Sequence, residues 1–232
     1  MKKSTFEWER ELLEQQEFSF VIGIDEAGRG PLAGPVVASA AIVKHRDWQK
    51  MDDKNWDLVR DSKKLSPKQR DKVFNFISEN FYVGIGICDH RTIDDMNILE
   101  ATFLAMKKAL SDLYSKVNRD LAKGSQGQLR RIQDSKYVVL VDGNKQIPNL
   151  SLHQKAVVGG DGIVKSISAA SIMAKVMRDR LMLEAHTKYP QYGFDKHKGY
   201  GTKMHMEALH QLGPCEIHRQ TFEPMPTLAK KR

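Results

Sequence analysis

Residues 21–37, Val21-Ile22-Gly23-Ile24-Asp25-Glu26-Ala27-Gly28-Arg29-Gly30-Pro31-Leu32-Ala33-Gly34-Pro35-Val36-Val37, decide how this chain is read. A β-rich run that starts at Phe18 closes on an acid, Asp25, with Glu26 directly behind it. Glycines and prolines then crowd Gly28 to Pro35 and mark a tight turn. Val36 to Val43 is a second apolar run of small and β-branched residues. Two such runs around a Gly/Pro turn predict adjacent antiparallel strands.

Working outward, Ser66-Pro67-Lys68-Gln69 opens a helix: Ser66 caps it, Pro67 suits the first helical position, and Gln69 completes a capping box. Val73, Phe74 and Ile77 give it an apolar face, and Phe81 to Ile87 is the next strand. From Asn97, the residues Leu99, Phe103, Met106, Leu110 and Leu113 recur at alternating four- and three-residue steps, the stripe of an amphipathic helix. Residues 115–136 are polar and read as a helix end plus an exposed loop without assigned chemistry. Tyr137 to Val141 is a strand ending at Asp142, and Lys155 to Val158 a shorter one ending at Gly159-Gly160-Asp161. Ile167, Ala170, Ala174, Met177 and Leu181 make a second helical stripe. Thr202 caps a last helix stopped by Gly213-Pro214, and Phe6 to Gln16 form a short charged helix ahead of the rest. The order predicts a mixed α/β domain.

A chain of 232 residues can bury one sizeable core. Its net charge of +8 attracts polyanions, nucleic acid or anionic lipid, although charge alone does not separate these from a merely basic protein. Cys88 and Cys215 form no CxxC pair, which argues against a zinc ribbon or redox motif and for free thiols. The start lacks the apolar core and cleavage site of a signal peptide, and no run is long and apolar enough to span a bilayer. A soluble, cytoplasmic protein without a membrane partner is expected.

The placement of the acids carries the chemistry. Asp25 and Asp142 each close a hydrophobic run, and Asp161 follows a third. Strand ends in α/β sheets border the cleft where ligands bind. Carboxylates gathered there raise one another's pKa unless a cation neutralises them, and hard divalent cations prefer oxygen ligands. Adjacent strand residues point to opposite faces, so Asp25 and Glu26 are expected to share a site only if the strand ends there. Asp179 reads as the partner of Lys175 in an i,i+4 ion pair. His186, His197, His205, His210 and His218 lack the spacing of a zinc site and read as surface or packing residues.

Residues 21–37 closely resemble the opening signature of the ribonuclease HII family. The resemblance continues through Asp61-Ser62-Lys63-Lys64-Leu65-Ser66, Leu140-Val141-Asp142-Gly143, Gly160-Asp161, and Ser166-Ile167-Ser168-Ala169-Ala170-Ser171-Ile172 with Ala174-Lys175-Val176 and Arg178-Asp179. It closes with Tyr192-Gly193, His197-Lys198-Gly199-Tyr200-Gly201-Thr202, and His218-Arg219 before Thr221-Phe222. These blocks stand in family order along nearly the whole chain.

The resemblance implies a ribonuclease H-like mixed sheet flanked by helices, with a helical C-terminal segment. It divides the chain into a helical extension (1–17), a catalytic domain (18–224) and a basic tail (225–232). It implies an endonuclease that cuts the RNA strand of RNA/DNA hybrids and incises 5′ of single ribonucleotides in duplex DNA, leaving 3′-hydroxyl and 5′-phosphate ends. Asp25, Glu26, Asp142 and Asp161 would be the catalytic residues and the ligands of Mg²⁺ or Mn²⁺. Gly28, Arg29 and Gly30 would meet the ribose hydroxyl through their backbone, Tyr200 would pack on the neighbouring sugar, and Lys63 would contact phosphate. The enzyme would act as a monomer on a hybrid duplex or a DNA duplex with embedded ribonucleotides. Two alternatives stand beside this: a ribonuclease HIII-like hybrid nuclease, disfavoured because only 24 residues precede Asp25, and a non-catalytic hybrid-binding protein.

Overall fold

Side-chain alternation along the apolar runs dictates what must cover each face. In the first strand Phe20, Ile22 and Ile24 point one way and Val21 the other, and all are buried, so both faces need a layer of helices. A computed structural model describes residues 4–15, 18–44, 54–60, 66–122 and 136–229. Its main elements are α1 (Glu7–Glu14), β1 (Phe20–Ala27), β2 (Val36–Val43), α2 (Pro67–Asn80), β3 (Phe81–Cys88), α3 (His90–Met96), α4 (Ile98–Ala122), β4 (Tyr137–Asp142), β5 (His153–Val157), α5 (Lys165–Lys188), α6 (Phe194–His197), α7 (Lys203–Leu212) and α8 (Met225–Ala229). The sheet runs β3-β2-β1-β4-β5. The β1–β2 and β2–β3 pairs are antiparallel, while β1–β4 and β4–β5 are parallel. The predicted mixed sheet between helices is therefore the fold.

On one face α4 packs Phe103, Met106, Leu110 and Leu113 against Ile22, Ile24, Val139 and Val141. The other face is covered by α5 and α2, and α1 joins it through Leu12, which is buried with Phe18, Val21 and Leu140. Gly23 is what lets α5 lie so close, because a Cβ there would fall 2.2 Å from the backbone carbon of Ser166. The capping box at Ser66 and Gln69 forms as the sequence predicts.

α4 runs on past residue 115 as the expected helix end, and Val117 keeps its inner face buried although the composition there is polar. Two elements depart from expectation. α3 was not anticipated; Asp89 caps it by accepting the Thr92 N–H at 2.9 Å. In α5, Met177 and Leu181 of the predicted stripe are only half-buried, while Arg178 and Met182 are enclosed. Beyond Val176 the helix leaves the sheet and packs on the C-terminal segment, where Met182 meets Ala33, Tyr192, Phe194 and Met225. Packing continues past residue 224, since Met225 is fully buried.

The outer strand β3 would leave a row of unpaired backbone groups. Helix α4 covers them with three side chains one turn apart. Lys108 Nζ donates to the Ile87 carbonyl at 3.0 Å, the Ile85 N–H donates to Asp112 Oδ2 at 2.8 Å, and Lys116 Nζ donates to the Val83 carbonyl at 2.8 Å. Asp112 also pairs with Lys116 at 2.7 Å. Replacing Asp112 with Ala should lower the unfolding free energy by about 1 kcal/mol, the worth of a partly exposed charge-assisted bond. It should also speed amide exchange at Ile85, and denaturant titration with hydrogen exchange checks both.

Candidate active site

The β1–β4 ladder stops at Ile24 and Val141. Past that point β1 pairs only with β2, to Ala27 and Val37, and Asp142 pairs with Val157 of β5. The two parallel strands thus part at their C-terminal ends, with an antiparallel neighbour on one side and a parallel one on the other. That is where an α/β sheet opens a crevice. Asp25 and Glu26 stand on one prong and Asp142 on the other.

The sequence led us to expect β1 to end at Asp25; instead it continues to Ala27. Asp25 and Glu26 therefore keep opposite faces. Asp25 is buried on the α5 side and takes a hydrogen bond from the Ser171 hydroxyl. Glu26 lines a hollow of about 140 Å³ with Leu99, Phe103, Met106, Asp142 and Lys145. The parted ladder leaves Asp142 within electrostatic reach of both. Asp161, expected at the end of the short strand, sits in a 3₁₀ turn (Gly160–Gly162) beyond β5. Its N–H donates to Asp142 Oδ1 at 3.3 Å.

The electrostatics follow from this crowding. Burial, then the charges of Glu26 and Asp142, push Asp25 well above the usual carboxylate range. Burial also raises Glu26; Arg29, 3.3 Å away, opposes the rise and Asp142 adds to it. Asp142 is raised by burial and by Asp161, against backbone N–H groups of Asp161, Gly160 and Gly143.

Beside the acids, Gly28 adopts φ +101°, a conformation that favours glycine. Arg29 and Gly30 are exposed, and a Cβ on Gly30 would lie 3.8 Å from the Tyr200 ring, itself 44% exposed. Lys63 lies outside the described residues. Asp179 pairs with Lys175 at 2.7 Å, as its spacing indicated.

Two participants escaped the sequence reading. Arg178 and Arg219 are both fully buried, and among the described residues neither forms a salt bridge. They bond instead to carbonyl oxygens: Arg178 to Pro35, Ala33 and Lys198, Arg219 to Gly28, Arg29 and Gly34. Burial lowers both, Arg219 to about 9. They stand within the motif blocks Arg178-Asp179 and His218-Arg219, yet nothing local marks either arginine as interior. His197, His205 and His218 prove to be packing residues. His205 links the His218 ring at 3.0 Å to the Tyr200 carbonyl at 2.9 Å, and burial holds both imidazoles down at about 4. Among the described residues, no three His, Cys, Asp or Glu side chains are arranged so as to hold a metal ion.

The family model for ribonuclease HII matches residues 22–225. A ribonuclease HII from Caldicellulosiruptor bescii is 48% identical over 218 residues, covering 94% of this chain and 92% of its own. Ribonuclease H2 from Pyrococcus horikoshii OT3 has a similar structure, with TM-score 0.63, 24% identity, and 92% of this chain and 98% of that one covered. Bst-RNase HIII, solved in complex with Mn²⁺, superposes with TM-score 0.67 at 18% identity, covering 95% of this chain and 74% of that one. The family match and the relatives define a type 2 ribonuclease H, a hydrolase of the endonuclease class. The chain belongs to the ribonuclease HII family.

The crowded acids make a stability prediction. A carboxyl whose pKa is raised by folding weakens the folded state once ionised. The penalty is absent below the unfolded value, grows as pH rises and is complete above the raised one. Asp25→Asn should therefore stabilise the metal-free protein at neutral pH, on the order of 1 kcal/mol. The gain should vanish as pH falls to the ordinary carboxylate range, which thermal melts across pH will show.

Proposed function

We propose that the protein cuts the RNA strand of RNA/DNA hybrids and incises duplex DNA on the 5′ side of a single ribonucleotide. The observation that carries this reading is the parted strand pair: it gathers Asp25, Glu26 and Asp142 at one crevice, with Asp161 bonded to Asp142, in a chain of the ribonuclease HII family.

The donor set suits Mg²⁺ or Mn²⁺. It offers carboxylate oxygens, whose ionisation is opposed first by burial and then by the charge of the neighbouring acids. The acids repel one another as they stand, and a cation is what would draw them inward. Asp25, Glu26 and Asp142 would hold it, with Asp161 completing the set. When bound, such ions activate the attacking water and stabilise the leaving oxygen. The chain's own residues do the rest. The Ser171 hydroxyl fixes Asp25, and Arg29 steadies Glu26. Gly28, Arg29 and Gly30 bring bare backbone to the ribose, where the 2′-hydroxyl distinguishes RNA from DNA. The exposed Tyr200 ring packs on the adjoining sugar. Lys63 would contact phosphate, and such contacts make binding salt-sensitive but not sequence-specific. Products would carry 3′-hydroxyl and 5′-phosphate ends. No helix among the described residues is long and apolar enough to cross a membrane, and we place the enzyme in the cytoplasm, acting as a monomer.

The test is cleavage of a labelled DNA duplex holding one ribonucleotide, beside an all-DNA control. Incision 5′ of the ribonucleotide with Mg²⁺ or Mn²⁺, none with EDTA and none on the control is expected. Asp25→Asn should cut about 10³-fold more slowly, for a site worth several kcal/mol at one decade per 1.36 kcal/mol. Equal cutting of the control, cleavage in EDTA, or a wild-type rate from Asp25→Asn would overturn the reading.

A further inference from the structure

Arg219 is a positive charge sealed from solvent that forms no salt bridge among the described residues; the Asp94 carboxylate acts on it without bonding to it. Such a group is costly unless every donor is used for something. Its donors converge on one loop. Nη2 bonds the Gly28 carbonyl at 2.6 Å, Nη1 the Arg29 carbonyl at 2.9 Å, and Nε and Nη2 both reach Gly34 at 3.0 Å.

The consequence follows from peptide geometry. In a trans peptide the carbonyl and the next residue's N–H point in opposite directions. Drawing the Gly28 carbonyl inward turns the Arg29 N–H outward, and drawing in the Arg29 carbonyl does the same for the Gly30 N–H. Two successive amides then face the same way, a concavity suited to an electron-rich oxygen. Both residues are exposed, and among the described residues neither N–H finds an acceptor. Glu26 borders the pair through Arg29, and Tyr200 borders it through Gly30. Gly28 permits the turn, since a Cβ there would strike Arg178 Nε at 2.1 Å.

We propose that Arg219 is a positioning residue for sugar selection: from inside the protein it aims the Arg29 and Gly30 amides at the 2′-oxygen of the ribonucleotide. This rests on the function proposed above and adds to it the side chain that sets the amides' direction. A hydroxyl oxygen can accept both bonds. A phosphate oxygen has the same chemistry but is present in DNA as well, so the two sources separate by experiment. Lysine at 219 keeps a charge but loses the planar fork needed to hold adjacent carbonyls.

Wild-type incision of the ribonucleotide duplex is measured first; its absence sinks the proposed function, and this inference with it. Given incision, Arg219→Lys should lose about 100-fold in kcat/KM, the cost of misplacing contacts by about an ångström. Binding is then compared in proteins whose turnover Asp25→Asn has slowed. Asp25→Asn should prefer the ribonucleotide duplex to the all-DNA duplex. Asp25→Asn/Arg219→Lys should bind both with the all-DNA affinity. A preference that survives in the double variant, a parallel loss of affinity for both duplexes, or no preference in Asp25→Asn would each overturn the proposal; the parallel loss would assign the amides to phosphate or Arg219 to general stability. Should Arg219→Lys fail to fold, amide exchange in Asp25→Asn decides. The Arg29 and Gly30 amides should exchange freely in the free protein and be protected by the ribonucleotide duplex alone. Protection without nucleic acid, or equal protection by both duplexes, would refute it.

Discussion

Like charges do not gather unaided. Asp25, Glu26 and Asp142 are held where burial and mutual repulsion both oppose their ionisation, so the rest of the molecule must impose the arrangement. The apolar faces of β1 and β4 do so. Phe20, Ile22, Ile24, Val139 and Val141 are buried under α4, and Val21, Val138 and Leu140 under α5 and α1. That burial fixes the register that ends at Ile24 and Val141, and the register fixes where the acids stand. The energy spent on crowding them is recovered from dozens of side chains that have no part in chemistry.

The opposite sign is handled differently. The cations Arg178 and Arg219 are also interior, but they are met by neutral carbonyls rather than by acids. Their charge is solvated without being cancelled, so it still contributes to the field around the glycine loop. Tyr200 belongs to the same construction. The Gly199 carbonyl accepts the Leu32 N–H at 2.8 Å, and Arg178 reaches the Lys198 carbonyl, so the tyrosine segment and the loop share supports. Beneath them the stacked rings of His197 and His205, 4.4 Å apart, fill the space as uncharged, hydrogen-bonding packing.

The sequence made the sheet, its flanking helices and all four acids legible, because alternation, capping chemistry and acids after apolar runs are local patterns. It hid whatever depends on distant partners. Val117 lies in a polar stretch, and only the presence of β3 beneath α4 explains its burial. Arg178 looked like one more cation in a helix; its interior role requires Pro35 and Lys198, far away in the chain. The sequence suggests that β1 ends at Asp25 and Glu26, whereas the strand runs on and it is the ladder to β4 that ends, a property of two strands that neither sequence run contains. Lys63 lies outside the described residues, so its place at the site rests on the family resemblance.

The closure of β3 by α4 has a geometric limit. Four helical residues advance about 6 Å, while two strand residues advance about 6.8 Å. Helix and strand act as the two scales of a vernier, drifting by roughly 0.8 Å at each step. The short side chain, Asp112, sits at the centre where the scales coincide. The long, pliant ones, Lys108 and Lys116, sit at the ends and absorb the drift. One residue added or removed between Lys108 and Lys116, or between Val83 and Ile87, would throw the scales out of phase and bare the edge to any passing strand. Length there is as constrained as identity, though none of these residues approaches the acids' crevice.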